Sequence, residues 1–316
     1  MGLDQDGYSK LSRRGMLSGL AALSGLALLG PPQAALARTL PFQGIRAMAF
    51  DGPVLILASE RFWRSFNGGA SWVAASDQNA ASITALTTHP GKPGFVYAAS
   101  KTGGVMRSGD GGISWRSVGT GLPMAPANAL TIAAQHPDTI YVAVQGDGLW
   151  ASKDAGDSWD FVMDRPYLAK AEHDILTLAG VNIATGMGGE WIYAGTVLGL
   201  TRVPDCFCRW QGVDEADPMV GLVKGQAAVA AKPLPGGQAL LSLALAPSVS
   251  ATLFAGLQSG VWKSTDAGLN WAQVSDHAAP HLAVNPTDPN HVIAAADGAI
   301  LSSRDGGITW SAPAAA

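Results

Sequence analysis

The chain has 316 residues, 47% of them apolar and only 14% charged, with 39 glycines and 19 prolines; this is the composition of a loop-rich globular protein with ample core, and it excludes a disordered one. The formal net charge is −4, and removing residues 1–37 takes away three basic and two acidic groups and leaves 17 and 22, a net of −5. That balance argues against a nucleic-acid binder, which would show a basic face, and gives no reason for adhesion to anionic lipid.

Residues 1–37 read as an export signal. Ser12-Arg13-Arg14-Gly15-Met16-Leu17 resembles the twin-arginine motif. A mild apolar run from Met16 to Leu29 follows, Pro31 and Pro32 break it, and Ala35-Leu36-Ala37 offers a small-x-small cleavage site. A retained anchor and a general secretory signal are the rival readings. The run is too short for a comfortable span, and the paired arginines favour the twin-arginine route to the periplasm or otherwise out of the cytoplasm. No later segment is a membrane candidate, so no stable membrane insertion is expected after cleavage.

From there the chain repeats. Ser108-Gly109-Asp110-Gly111-Gly112-Ile113-Ser114-Trp115 sets a pattern that returns at 152–159, 264–271 and 303–310, placing Asp154, Asp266 and Asp305 before Trp159, Trp271 and Trp310. Residues 65–72 hold the same box with Asn67 in the Asp place and end at Trp72. A worn copy at 203–210 keeps Asp205 five residues before Trp210 and loses the Ser and Gly. The box reads as a tight turn between strands. The Asp accepts bonds from its own turn's backbone, Gly supplies a conformation other residues resist, and the Trp packs over the turn. Each Asp stands alone in its repeat, without the oxygen cluster calcium needs, so the boxes read as structural.

These copies resemble the Asp-box, or BNR, repeat of β-propellers, a family that includes sialidases, xyloglucanases, sortilin-type receptors and photosystem II assembly and stability factors. The resemblance implies an all-β fold: a single β-propeller over 38–316. Within each repeat four short strands are legible, bounded by Gly, Pro or Asp. In the second copy they are 83–87, 95–99, 104–108 and 115–118. The six Trp lie 43, 44, 51, 61 and 39 residues apart. The long interval carries an insertion at about 212–237, some twenty residues over the period and half a blade, so the count is six four-stranded blades rather than seven.

In such a ring the box turns share one face, and the second-to-third and blade-to-blade loops share the other. Ligands commonly use that second face or the channel. Its candidates here are Glu60 and Arg61, and the loop holding Asp164, Arg165, Tyr167, Lys170, His173 and Asp174, which gathers acids, bases, a Tyr and a His. The same loop also reads as an ordinary solvated segment.

Catalytic readings are thinner. The resemblance to sialidases would require an arginine triad, a Tyr–Glu pair and an Asp acid. Ile45-Arg46-Ala47 is the nearest approach to their Arg-Ile-Pro motif, and Arg46, Arg61 and Arg165 are the arginines available. A glycosidase needs two facing carboxylates, whose separation a sequence does not give. Cys206 and Cys208 sit in the worn fourth box. A local disulfide is preferred over free thiols, and a soft-metal site comes third. His89, His136 and His291 fall at repeat turn positions; His173, His277 and His281 lack metal-site spacing. No cofactor and no metal site is expected. The reading is an exported, non-enzymatic propeller that binds a protein partner as scaffold or assembly factor; the alternative is an exported glycoside hydrolase or sialidase-like enzyme acting on carbohydrate.

Overall fold

The computed structural model describes residues 40–185, 188–213, 232–296 and 298–314. The export-signal reading and most of the 212–237 insertion lie outside these residues. The described chain is all-β apart from one turn of 3₁₀ helix at Pro247–Val249. Five antiparallel four-stranded sheets and one three-stranded sheet follow one another as blades.

Blade one is β1 (Ala47–Asp51), β2 (Val54–Ala58), β3 (Phe62–Ser65) and β4 (Val73–Ser76). Blade two is β5 (Ile83–Thr88), β6 (Val96–Ser100), β7 (Val105–Ser108) and β8 (Arg116–Ser117). Blade three is β9 (Ala127–Ile132), β10 (Ile140–Val144), β11 (Gly148–Ser152) and β12 (Asp160–Asp164). A small hairpin, β13 (Tyr167–Leu168) and β14 (Ala171–Glu172), precedes blade four, which is β15 (Thr177–Val181), β16 (Trp191–Thr196), β17 (Gly199–Pro204) and β18 (Gln211–Gly212). Blade five is β19 (Ser242–Leu245), β20 (Leu253–Leu257), β21 (Gly260–Ser264) and β22 (Ala272–Ser275), and blade six is β23 (His281–Asn285), β24 (Asp288–Ala296) and β25 (Ala299–Ser303).

The burial pattern explains why these segments are strands. The second strands β6, β10, β16 and β20 are buried along their whole length, because each is covered on both faces by neighbouring blades. They therefore read as short continuous apolar runs such as Ile140-Tyr141-Val142-Ala143-Val144. The fourth strands lie at the rim and are exposed or half-exposed. The inner strands neighbour one another in order, and β23 returns to β1. Side chains tie them across the gaps: Thr88 donates to the Phe50 carbonyl at 2.6 Å and Thr84 to the Ala127 carbonyl at 2.5 Å. The apolar core is accordingly a set of wedges between blades rather than one central mass.

Blade six departs from the expected four strands. Its outer strand is reduced to a single bridge between Ser302 and Ser311. Its outer segment still meets the first box, since a Cβ on Gly69 would stand 3.4 Å from Pro313, and Phe42, buried, packs its ring 5.2 Å from Trp72 and 5.4 Å from Trp63 in one cluster with Ile293 and Ile300. The ring closes by packing of blade six on blade one, with Phe50, Leu55 and Leu57 clustered against Ile293, Ala295 and Ile300. Trp159, Trp210 and Trp310 each donate their indole N–H to a carbonyl of the preceding blade, from Val118, Asp164 and Val274. Trp115 and Trp271 donate only within their own boxes, to the Gly112 and Gly268 carbonyls, and the buried N–H of Trp72 has no acceptor.

His291 also sits at this seam. It is 2% exposed, lies edge-on to Phe50 at 5.2 Å and fits against the first box, where a Cβ on Gly68 would meet its ring at 2.9 Å. Burial first, and then the Arg304 charge, hold its pKa down at about 4, with Asp288 opposing. Asn285 is the other polar group on the ring, 3.4 Å from Nδ1. The folded value lies below the unfolded one, so the unfolded chain binds the extra proton. Stability from this group is complete above about pH 6.5 and is lost as pH falls toward 4, by an amount on the order of 2–3 kcal/mol. Urea titrations at pH 7.5 and 5 should show that loss, and His291→Gln, which does not titrate, should remove most of the difference.

Candidate functional site

The box face is built by local chemistry. Asp110 Oδ1 accepts the N–H groups of Ile113 and Ser114 at 3.0 and 2.9 Å, and its Oδ2 accepts the Ser114 hydroxyl at 2.5 Å. Ser108 donates to Asp110 and accepts the Gly112 N–H at 2.8 Å. Asp154, Asp266 and Asp305 repeat this set. Asn67 reverses one bond, its amide donating to Ser71. The Ser158 hydroxyl leads the bonds that hold the Asp154 carboxyl at about 2, and the Thr309 hydroxyl does the same for Asp305. Slight burial pushes Asp110 up, but the bonds from Ser114 and Ser108 bring it to about 2 as well. Carboxylates so firmly ionised are poor proton donors at neutral pH; their bonds serve the turn.

A second device joins each box to the blade before it. Arg107 donates to the Ala155 carbonyl at 2.7 Å and Lys263 to the Gly306 carbonyl at 2.8 Å, each reaching from a third strand into the next blade's box. Arg64 lies against Gly111 and Arg304 against Gly68, and Tyr193, contacted by Arg202, donates to the Ala267 carbonyl. Blade three has Ala151 at the position before the box, and the box it faces is the worn one; blade six has Ser302 there and uses Arg304, inside its box, instead. There a disulfide joins Cys206 and Cys208. Phe207 between them adopts φ +52°, where the intact second box has Gly112 at +88°, and its ring packs 5.7 Å from Tyr141. The Asp205 carboxylate faces Gly189 instead of its own turn.

On the opposite face the loop at 164–174 forms the β13–β14 hairpin. Ala169 and Lys170 make its tip with φ of +48° and +68°, a turn geometry that glycine and asparagine enter more readily. The surroundings hold it in place. Arg165 spans the base, bonding Glu172 at 2.6 Å and Asp174 at 3.2 Å. The hydrogen bond to Glu172, followed by the contacts with Asp174, outweighs burial and raises the Arg165 pKa. Asp174 also accepts the Gly146 N–H at 2.9 Å, His173 Nε2 lies 3.1 Å from the Leu168 carbonyl, and the backbone carbonyl of Asp164 receives the Trp210 indole N–H. Tyr167 projects from this braced base, 66% exposed. Met124 in the preceding loop is 97% exposed, and Val197 and Leu198 of blade four stand out on the same face.

Glu60 and Arg61 belong to blade one and do not join this group. Glu60 accepts the Ser59 hydroxyl at 2.6 Å, and Arg61 pairs with Asp77 at 2.8 Å. Burial pushes the Glu60 carboxyl up, but the Ser59 bond and lesser contacts outweigh it and hold it low.

Two cavities lie on the axis. One, of about 90 Å³, is bordered by Arg46, Thr84, Leu176, Leu241, Pro280 and His281. The other, of about 670 Å³, opens on the box face among the turns that follow the inner strands. None of the eight candidate side chains lines either one. The lining comes from inner strands and their following turns, whereas the eight come from loops beyond the second and fourth strands. Among the described residues that line the cavities, Asp51 is the sole carboxylate, and no cluster of three or more metal-ligating side chains occurs among the described residues. No described helix is long and apolar enough to cross a membrane.

The profile of the Sortilin-Vps10 family (sortilin, neurotensin receptor 3) matches residues 60–173. No curated protein sequence matches the chain. Among solved structures, the GH74 xyloglucanase of Xanthomonas campestris is similar at 20% identity and TM-score 0.54, covering 84% of this chain and 45% of its own. The GH74 enzyme of Niastella koreensis is similar at 12% identity and TM-score 0.53, covering 84% and 46%. This chain thus spans less than half the length of either. YCF48 of Cyanidioschyzon merolae is similar at 13% identity and TM-score 0.50, covering 84% of this chain and 97% of its own. At such identities the likeness is one of fold, an Asp-box-type propeller.

Proposed function

We propose that this propeller is an exported, non-catalytic protein that binds a protein partner through the face opposite its boxes, with the Arg165–Asp174 hairpin as the central contact. The observation that carries the reading is the Tyr167 ring, presented to solvent on a hairpin whose base is fixed by ion pairs and backbone bonds. An exposed aromatic on a rigid support is the kind of group that dominates protein interfaces, and a pre-ordered hairpin loses little freedom on binding. Met124, Val197 and Leu198 are further exposed apolar side chains on the same face. Residues 12–17 support export by the twin-arginine route. The carbohydrate-enzyme reading would need two facing carboxylates, and Asp51 is the single one lining the axis among the described residues.

The test is site-specific photocrosslinking in the native exported fraction. A photoreactive phenylalanine at position 167 should crosslink one protein species, and the same group at Ile308 on the box face should not. Tyr167→Ala should lower recovery of that species by about tenfold or more, the scale of an interface hot spot. Equal crosslinking from both positions, or hydrolysis of a glycoside substrate by the purified protein, would replace this reading.

A further inference from the structure

Each inner strand places one large aliphatic side chain at the same level of the axis: Met48, Leu86, Leu130, Leu178, Leu243 and Leu282. These six, one per blade, border both axial cavities. They form an apolar girdle between the two. One residue further along each strand the side chains are small: Ala49, Thr87, Thr131, Ala179, Ala244 and Ala283. The lumen widens there into the cavity of about 670 Å³, a volume within the range of small-molecule sites. Beyond that level Phe50, Ile132, Leu245 and Val284 keep the wall apolar. A ring of blades leaves a central channel; what this sequence adds is an apolar lining that widens past the girdle.

Polar groups gather at the open rim: Asn182, Ser248, Ser250 and Thr287, with Asp51. Among the described residues that line the cavity there is no lysine or arginine, and burial, with Lys92 beside it, holds the one lining histidine, His89, below the usual imidazole range and so uncharged at pH 8. Asp51 Oδ2 accepts the Gly94 N–H at 2.9 Å, and Arg64, which does not line the cavity, lies close enough to act on it. Burial pushes the Asp51 carboxyl up, against the Gly94 bond and Arg64, so this rim does not favour charge: an anion entering the lumen would lose its hydration and meet no lysine or arginine.

We infer that the box-face half of the axial channel is a binding site for an uncharged apolar molecule carrying one hydroxyl or carbonyl head, its body against the girdle and its head at the hydroxyl and amide rim. The site is distinct from the protein-binding face and does not depend on it.

The mature protein should bind the neutral dye N-phenyl-1-naphthylamine saturably at one site. Decanol should displace it, and decanoate at pH 8 should do so about tenfold more weakly or worse. Thr87→Phe, which fills the widened level, should weaken dye binding by about tenfold or more, and Asp51→Asn should bring decanoate close to decanol. If Thr87→Phe does not fold, Ser250→Trp at the rim takes its place. Absence of saturable binding, equal displacement by decanol and decanoate on the unaltered protein, or undiminished binding by a natively folded Thr87→Phe would each overturn the inference.

Discussion

Trp159→Ala is expected to cost about 3–5 kcal/mol of folding stability, the range for deleting a buried tryptophan. Trp159 is 5% exposed and stands in the wedge between blades two and three, among Tyr97, Val105, Val118, Ile140 and Val142. Its indole N–H donates both to the Val118 carbonyl at 2.6 Å and to the Gly156 carbonyl at 3.1 Å. Alanine would open a cavity in the wedge and leave the Val118 carbonyl without that donor. Trp210→Ala is the control, since that ring lies only half-buried over the worn box, with a single bond to the Asp164 carbonyl. Its loss should cost clearly less. Urea unfolding of both variants decides the matter, and equal losses would mean that the box tryptophans do not act as inter-blade wedges.

The boxes were legible because everything they need lies within eight residues. Asp110, Ser108 and Ser114 close their bonds locally, so spacing alone announces the turn, and the strands on either side follow from it. What the spacing did not announce depends on contacts between blades. The basic residue before the box serine, Arg64, Arg107 and Lys263, is present in the sequence, yet what it meets lies one blade away: the Ala155 and Gly306 carbonyls for Arg107 and Lys263, and Gly111 for Arg64. Blade three, with Ala151 at that position, precedes the one box that has lost its glycines, where the disulfide and Phe207 stand in the turn. The seam between blades six and one was hidden for a similar reason: Phe42 and Ile300, which share its apolar cluster, lie 258 residues apart along the chain. The candidate loops were identified from their charge. That Arg165 braces a hairpin around Tyr167 while Glu60 and Arg61 stand two blades away could not follow from charge alone, because loops of one face are neighbours only if their blades are.

Gly256→Ala should be as damaging as losing a core side chain, about 3 kcal/mol or more, although it adds one methyl group. Gly256 lies in β20 with ordinary extended backbone, so the alanine backbone itself is unstrained. Space is the obstacle: a Cβ there would sit 1.9 Å from the Ala279 carbonyl oxygen and 2.3 Å from Ser242 Oγ. Those two atoms hold each other at 2.8 Å, joining the inner strand of blade five to the loop that enters blade six. Neither is the far end of a flexible chain, so relief requires the loop to move off the blade. Gly146→Ala gives the opposite case. Its φ is +73° but nothing lies within 4 Å of an added Cβ, so only the left-handed backbone is penalised, by about 1 kcal/mol. If the two variants unfold at the same urea concentration, the close approach at Gly256 is not what holds blades five and six together. If Gly256→Ala alone collapses, one oxygen and one hydroxyl set how near those blades can stand.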